Sequence, residues 1–264
     1  MKEPKIRFKG FSGEWKKVKL GGIGSWSKGK LLSKDNISEA GIFKCIHYGE
    51  LFTMYDEIIY QVFSKTDLNN GCLSQIGDIL FPDSDVTPTG LARCSSIMET
   101  GVILGGGILI LRPLPQYYSP FISLSVNNEK QQIISRITGT TVRHINATSL
   151  SEIEIVYTEN IAEQQSIASF FTSLDAQISA STSRLVSLKQ MKAASLQAMF
   201  PQEGETVPKV RFRGFEGEWK KVKLGEIGSW SKGKLLSKDN ISETGKFKCI
   251  HYGELFTMYD EIIY

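Results

Sequence analysis

Three polar loops carry the side chains best equipped to contact the edge of a base or a phosphate oxygen. They are Ser27-Lys28-Gly29-Lys30, the stretch from Thr87 to Arg93, and Arg136 through Thr140, Thr141 and Arg143. Arginine forks onto a guanine edge, and lysine and threonine hold phosphate oxygens, so Lys28, Lys30, Thr87, Arg93, Arg136, Thr140, Thr141 and Arg143 are candidate DNA contacts. Loops of small and basic residues on a rigid sheet suit that role; for any single residue, a solvated loop side chain is the competing reading. The first twenty residues add a basic arm, Lys2, Lys5, Arg7, Lys9, Lys16, Lys17 and Lys19 against Glu3 and Glu14. Such an arm suits phosphate contacts or is simply a solvated lysine-rich surface, and the net charge of +3 does not choose between them.

Catalytic chemistry is hard to assemble from this chain. His47, His144 and His251 are not spaced as metal ligands, and no Ser/His/Asp set suggests itself. His47 beside Tyr48 reads as a structural pair rather than a base-reading one. Cys45, Cys72, Cys94 and Cys249 lack CxxC spacing, which argues against a zinc ribbon or a disulfide framework. Gly105-Gly106-Gly107 sits inside the apolar run Val102 to Leu111 with no helix following to offer its N-terminus to a phosphate, so a bulge or tight hairpin is expected there. That run is too short to span a bilayer and no apolar leader opens the sequence, so a cytoplasmic protein without membrane partners is expected.

The elements that must position these loops are mixed. From about Trp15 to Tyr157, short apolar runs are punctuated by Gly, Asn, Asp and Pro, which favours many short strands. Trp15 to Leu20, Ile58 to Val62, Asp78 to Phe81, Val102 to Leu111 and Ile153 to Val156 are the strand candidates. Pro120 to Ile137 and Ala147 to Ile153 read as helices. The fold class is α+β, a β-rich domain built on a curved or barrel-like sheet. After Thr158 the character changes: Glu159 to Phe200 contains neither Gly nor Pro, and predicts one long helix. Phe171, Leu174, Ile178, Leu185 and Leu188 fall on the alternating three-and-four spacing of a coiled-coil seam, with polar Ser181 within it and Lys192 following.

The chain also repeats itself. Pro4 to Tyr60 returns as Pro208 to Tyr264, with 51 of 57 positions identical. The differences are Ile6/Val210, Lys9/Arg213, Ser12/Glu216, Gly22/Glu226, Ala40/Thr244 and Ile42/Lys246. Repeats this similar point to recent duplication or recombination. The expected organisation is a domain over 1–157, a helix over 158–200, and a linker with an incomplete second copy over 201–264.

Gly-Glu-Trp-Lys-Lys-Val-Lys-Leu-Gly at 13–21, Gly77-Asp78-Ile79-Leu80, the Gly139-Thr140-Thr141 turn and Glu163-Gln164-Gln165 at the helix start occur in a recognisable order. With Leu188-Lys189-Gln190-Met191-Lys192 and Leu196 to Phe200, they resemble the DNA-specificity subunit of Type I restriction-modification systems. The resemblance implies a target recognition domain followed by a coiled-coil helix, acting on double-stranded DNA. The implied partners are an adenine-N6 methyltransferase subunit and, through the complex, a restriction subunit. It implies S-adenosylmethionine on the methyltransferase and no cofactor on this chain, which has no Asn/Asp-Pro-Pro-aromatic motif and is expected not to be an enzyme by itself. Full-length members carry two domains and two helices, so this sequence resembles a half-subunit or a truncated recombination product that pairs as a homodimer. An inactive or competing specificity subunit is an open alternative, as is a coiled-coil scaffold whose β-rich domain binds protein or glycan. For 208–264, partial packing near the helix end is expected ahead of disorder or exchange with another chain.

Overall fold

The computed structural model describes residues 3–259. Lys2 of the basic arm and the last repeat positions, 260–264, lie outside the described residues. The chain divides into two compact units, Met1–Leu185 and Val186–Tyr264.

In the first unit the strands are β1 (Lys16–Lys19), β2 (Gly24–Lys28), β3 (Phe43–Ile46), β4 (Ile58–Ile59), β5 (Lys65–Thr66), β6 (Cys72–Leu73), β7 (Ile79–Pro82), β8 (Ser84–Asp85), β9 (Ser95–Ile97), β10 (Ile103–Leu104), β11 (Ile108–Pro113), β12 (Arg143–His144) and β13 (Glu154–Tyr157). Short helices α1 (Glu50–Thr53), α2 (Pro88–Leu91), α3 (Ser119–Asn128), α4 (Lys130–Ile134) and α5 (Ala147–Ser151) intervene, and α6 runs from Ile161 to Met199. The class is α+β. A five-stranded sheet, β2-β11-β7-β9-β4, is accompanied by a four-stranded sheet, β5-β3-β10-β6, and by the ribbons β1-β13 and β12-β8.

β7 and β11, central in the five-stranded sheet, are buried on both faces, which explains why they read as continuous apolar runs rather than alternating ones. Ile79, Phe81, Leu109 and Leu111 pack with Phe121 and Ile122 of α3 on one side. Leu80, Ile108 and Ile110 pack with Ile46, Leu51 and Leu104 on the other. The period of two along β7 and β11 divides the side chains between these cores.

Two sequence expectations are corrected here. The helix expected over Pro120 to Ile137 is two helices, broken at Glu129 (φ −100°, ψ 29°). Just before the break, the Asn127 side chain accepts from Cys94 N (2.9 Å) and donates to Cys94 O (2.9 Å), so it serves the sheet. The three glycines form no hairpin, because β10 and β11 belong to different sheets and Gly105–Gly107 carry the chain across. Gly107 has φ +86°, and a Cβ there would lie 2.9 Å from the Tyr48 ring. Gly107→Ala is therefore expected to cost roughly 1–3 kcal/mol from backbone strain and overpacking together, read as a lower denaturation midpoint in urea; an unchanged midpoint would contradict the crossover.

The long helix begins as its sequence suggests. Asn160 caps it, its Oδ1 accepting from Ala162 N (3.0 Å) and Glu163 N (3.2 Å), and at the far end, just past Pro201, the Gln202 side chain donates back to the carbonyls of Gln197 (2.8 Å) and Phe200 (3.0 Å). Thirty-nine residues of α6 span about 58 Å at 1.5 Å per residue. Phe171, Leu174, Ile178, Leu185 and Leu188 are all at least 36% exposed along it. Among the described residues no helix is long and apolar enough to cross a membrane.

The repeat offers one sequence in two settings. In the second unit, described residues of the second copy form α7 (Leu224–Ile227), a 3-10 turn at Lys238–Asn240 and α8 (Glu254–Thr257), with no strand among them. Short-range features recur: the Lys34–Asn36 turn matches Lys238–Asn240, and α1 matches α8. The histidine that precedes each of these two helices accepts from the glycine two residues on, at 3.2 Å in both copies. The strands do not recur, for a simple reason. β1 pairs with β13, β2 with β11, β3 with β5 and β10, and β4 with β9, every partner lying outside 4–60. Leu20 is 0% exposed and its counterpart Leu224 64%; Ile46 is 0% exposed and Ile250 47%.

Candidate nucleic-acid interface

One rim of the five-stranded sheet gathers most of the candidate contacts. β2 ends at Lys28, whose backbone pairs with Leu109 of β11, while β7 ends at Pro82 opposite Ile108. Beyond them Gly29 N donates to Ile108 O (2.9 Å), Lys30 N to Leu104 O (3.1 Å) and Asp83 N to Gly107 O (2.8 Å). The Lys28 ammonium sits 2.6 Å from Asp83 Oδ2. β8 then pairs with β12, and Ile145 N donates to Asp83 O (3.0 Å), which lays the 138–144 turn beside the 84–87 segment. Lys28, Lys30, Thr87, Thr140, Thr141 and Arg143 thus belong to one connected loop cluster.

Within it, Thr87 Oγ1 donates to Asp85 Oδ2 (2.8 Å) and accepts from Gly90 N (3.2 Å), capping α2. The Arg143 guanidinium donates to the carbonyls of Val86 (3.3 Å) and Thr140 (3.0 Å) on the exposed side of the ribbon. These bonds compete with water already, so Arg143 can exchange them for another acceptor at small cost.

Two candidates fall elsewhere. The guanidinium of Arg93 is half-buried and donates to the carbonyls of Phe52 (3.2 Å) and Tyr55 (2.5 Å), closing the segment after α1. That of Arg136 donates to Gln132 O (2.7 Å) and Glu152 O (3.3 Å), tying α4 to the turn before β13. Both donate to backbone carbonyls of the domain and lie outside the connected loop cluster. Three lysines of the basic arm are engaged at the surface of the domain. Lys16, Lys17 and Lys19 pair with Glu159 (2.6 Å), Glu154 (3.5 Å) and Glu152 (2.6 Å) across or just beyond the β1-β13 ribbon, so these charges are largely matched within the domain.

Sequence reasoning missed the groove beside Lys30. Leu31 and Leu32 hold left-handed backbone, φ 52° and 59°, and Gly106 N donates to Leu31 O (2.7 Å). Leu32 is 3% exposed, and its burial holds the strained turn in place. The identical leucines of the second copy are not among the described residues with positive φ, so the strain is imposed by the crossover glycines and not by local sequence. Lys34, Asn36, Tyr48 and Asn70 line this groove with Leu31 and Gly106. Their signal in the sequence was the polar cluster Ser33 to Asn36, which lacked a sheet to place it. His47 accepts from Gly49 N through Nδ1, and burial lowers its pKa, so it holds the turn as a neutral ring.

The remaining recognisable motifs are structural locks. Asp78, fully buried, receives the Arg112 fork (2.7 and 2.8 Å) and Gln75 N (2.8 Å), while Gly77 turns at φ +90°. At the start of α6, Glu163 receives the Arg7 fork (2.7 and 2.8 Å), and Gln164 accepts from Tyr118 N (2.7 Å) and donates to Thr158 O (2.7 Å). Burial works to raise the Glu163 carboxyl, and Arg7 together with Thr158 and Trp15 outweighs it, leaving the group below the usual carboxylate range.

A model of the Type I restriction modification DNA specificity domain matches residues 12–190. The chain belongs to this family. Membership covers the sheet, the rim loops and most of α6, and assigns the chain to the specificity component of such systems rather than to a catalytic one. The chain is 24% identical over 133 residues to a type I specificity subunit of Mycoplasma genitalium, covering 50% of this chain and 34% of that protein. It is 21% identical over 253 residues to one from Mycoplasma pneumoniae, covering 95% and 62%. The chain therefore spans about a third and three fifths of these two relatives. Among solved structures it resembles a type I restriction-modification S subunit from M. genitalium, with TM-score 0.53 and 19% identity over 74% of this chain and 49% of that one. It also resembles a chain from a structure of type I R-M complex assembly, with TM-score 0.50 and 14% identity over 70% and 45%. At these identities the likeness is one of fold.

One further contact carries a testable charge effect. Asp175 of α6 lines a shallow cleft with Asp56 and Glu57. Burial pushes its carboxyl up, and the charges of Glu57 and Asp56 push it further. A raised folded pKa stabilises the fold below the ordinary aspartate value of 3.8, and that stability is lost as pH rises through the folded value. Asp175→Asn is therefore expected to raise the melting temperature at pH 7 and to flatten its decline above the ordinary aspartate range. An unchanged profile between pH 3 and 7 would contradict the repulsion.

Proposed function

We propose that this chain reads DNA sequence for a Type I system as a homodimer of half-subunits, each domain recognising one half of a bipartite site. The observation that carries the reading is a single specificity domain attached to a 39-residue helix whose apolar stripe is exposed. In an antiparallel pairing through Phe171, Leu174, Ile178, Leu185 and Leu188, two α6 helices would bury that stripe and hold two rims apart. Two-fold symmetry then makes the site palindromic and interrupted. The rim would supply the reading: Arg143 to a base edge, Lys28 and Lys30 to phosphates, Thr87, Thr140 and Thr141 as further hydrogen-bonding groups. A methyltransferase subunit would bring S-adenosylmethionine and the adenine-N6 chemistry, with the restriction subunit joining through the complex.

Selection of binding sequences from a random duplex library, repeated across a salt series, tests this reading. Enrichment of a palindromic interrupted motif, with affinity falling steeply as salt rises, is expected. Binding that is indifferent to sequence and salt would favour a scaffold whose β-rich domain binds protein or glycan.

A further inference from the structure

The second copy retains everything the first copy uses to join the fold. The six positions that differ, Ile6, Lys9, Ser12, Gly22, Ala40 and Ile42, are all exposed in the first unit. At Gly22, where the second copy has Glu226, an added Cβ meets only Val18 Cγ2, at 3.8 Å. Arg211 stands where Arg7 forks onto Glu163, and Lys220, Lys221 and Lys223 stand where the first copy pairs with Glu159, Glu154 and Glu152. Leu224, Ile227 and Ile250 correspond to Leu20, Ile23 and Ile46, each 0% exposed when docked, whereas these three are 47–65% exposed in the second unit. No position that is buried in the first copy is altered in the second.

We propose that the second copy is an interchangeable opening half of the specificity domain, docking onto another chain in place of that chain's own first copy. The exchange has to be between chains. Glu163 to Met199 is 36 residues of helix, about 54 Å, whereas the twelve residues from Met199 to Arg211 reach at most about 42 Å when fully extended. Arg211 therefore cannot meet the Glu163 of its own chain while α6 is intact. A second chain has no such limit. Among the described residues the second copy meets the helix end where Val210 N donates to Ala198 O (2.9 Å) and Trp219 packs edge-on against Phe200 at 5.5 Å. Docking would bury Leu224 and Ile227 and pair residues 220–223 and 228–232 with strands of the accepting domain. It would also place Lys232 and Lys234 of one chain on the rim of another, in the positions of Lys28 and Lys30. The exchange does not require the α6 seam, and the number of docked opening halves is the same before and after, so the exchanged and unexchanged forms are close in free energy.

The test uses the full chain with Leu20→Asp, Leu224→Asp and both together, followed by thermal unfolding. Leu224→Asp alone is expected to leave the main transition within a few degrees of the parent. Leu20→Asp alone is expected to keep a cooperative transition by recruiting second copies, and the double variant to lose it. In a Leu20→Asp, Cys249→Ser chain carrying Ile155→Cys and Val222→Cys, the two introduced thiols face each other only after exchange, because Val18 is the partner of Ile155 in the β1-β13 ribbon. Oxidation should then give a covalent dimer. A Leu20→Asp chain as unfolded as the double variant, a double variant that still melts cooperatively, or a folded Leu20→Asp chain giving no covalent dimer would each overturn the proposal.

Discussion

Leu174→Asp is expected to weaken self-association by at least about 100-fold and leave monomers at micromolar concentration. Leu174 lies on the exposed apolar stripe of α6, between Phe171 and Ile178. In a two-fold seam the substitution appears twice, and each carboxylate would be taken from water without a partner. An unpaired buried charge costs about 3–5 kcal/mol, and every 1.4 kcal/mol is tenfold in affinity. Ala176→Asp serves as the control, because Ala176 lies on the same helix but off the three-and-four spacing of the stripe. It should cost only helix propensity, a few tenths of a kcal/mol, and leave the dimer intact. Sedimentation across a concentration series reads both. An unchanged mass for Leu174→Asp would remove the seam from the proposal, and with it the palindromic site.

The second large effect separates two arginines that look alike in the sequence. Arg143→Ala is expected to lower affinity for the selected duplex by about 5–150-fold, equivalent to roughly 1–3 kcal/mol, and to relax preference at one base position. The melting temperature should hardly move, because its bonds to the carbonyls of Val86 and Thr140 are exposed and water replaces them. Arg93→Ala should do the reverse. Its guanidinium satisfies the carbonyls of Phe52 and Tyr55 inside the domain, and truncation leaves them short of donors at a cost of roughly 1–3 kcal/mol of stability. Intrinsic affinity per folded molecule should stay near that of the parent. If Arg143→Ala instead weakened binding equally for all sequences, Arg143 would be a phosphate contact. If Arg93→Ala lost specificity without losing stability, the division drawn between the two would fail.

These two arginines also mark how far a sequence can be read. Each is an arginine in a polar loop, and what separates them is which carbonyls lie within reach after the sheet has formed. Local information was sufficient where structure is local. The absence of Gly and Pro from Glu159 to Phe200 announced α6, the spacing of Phe171, Leu174 and Ile178 announced its stripe, and the turn at Lys34–Asn36 forms in both copies. Non-local pairing was not legible. β1 to β4 depend on strands as far away as Glu154–Tyr157, and the second copy carries the same residues for β1 to β3 without forming those strands. The same dependence hid the salt bridges of Lys16, Lys17 and Lys19, whose partners Glu159, Glu154 and Glu152 lie in and around β13. It hid the Gly105–Gly107 crossover too, because an apolar run containing three glycines does not say whether its halves stay in one sheet. The left-handed pair Leu31–Leu32 had no local signal at all: its conformation depends on Gly106, and leucine ordinarily avoids it.

A genome-wide map of N6-methyladenine tests the central claim most directly, comparing cells that express this chain together with a Type I methyltransferase against cells that express the methyltransferase alone. A new palindromic, interrupted motif that appears with the chain and disappears with Leu174→Asp is the expected result. No new methylation in cells where the chain is folded and bound to the methyltransferase would contradict a half-subunit that delivers the enzyme to DNA, and would leave a competing, inactive subunit in its place.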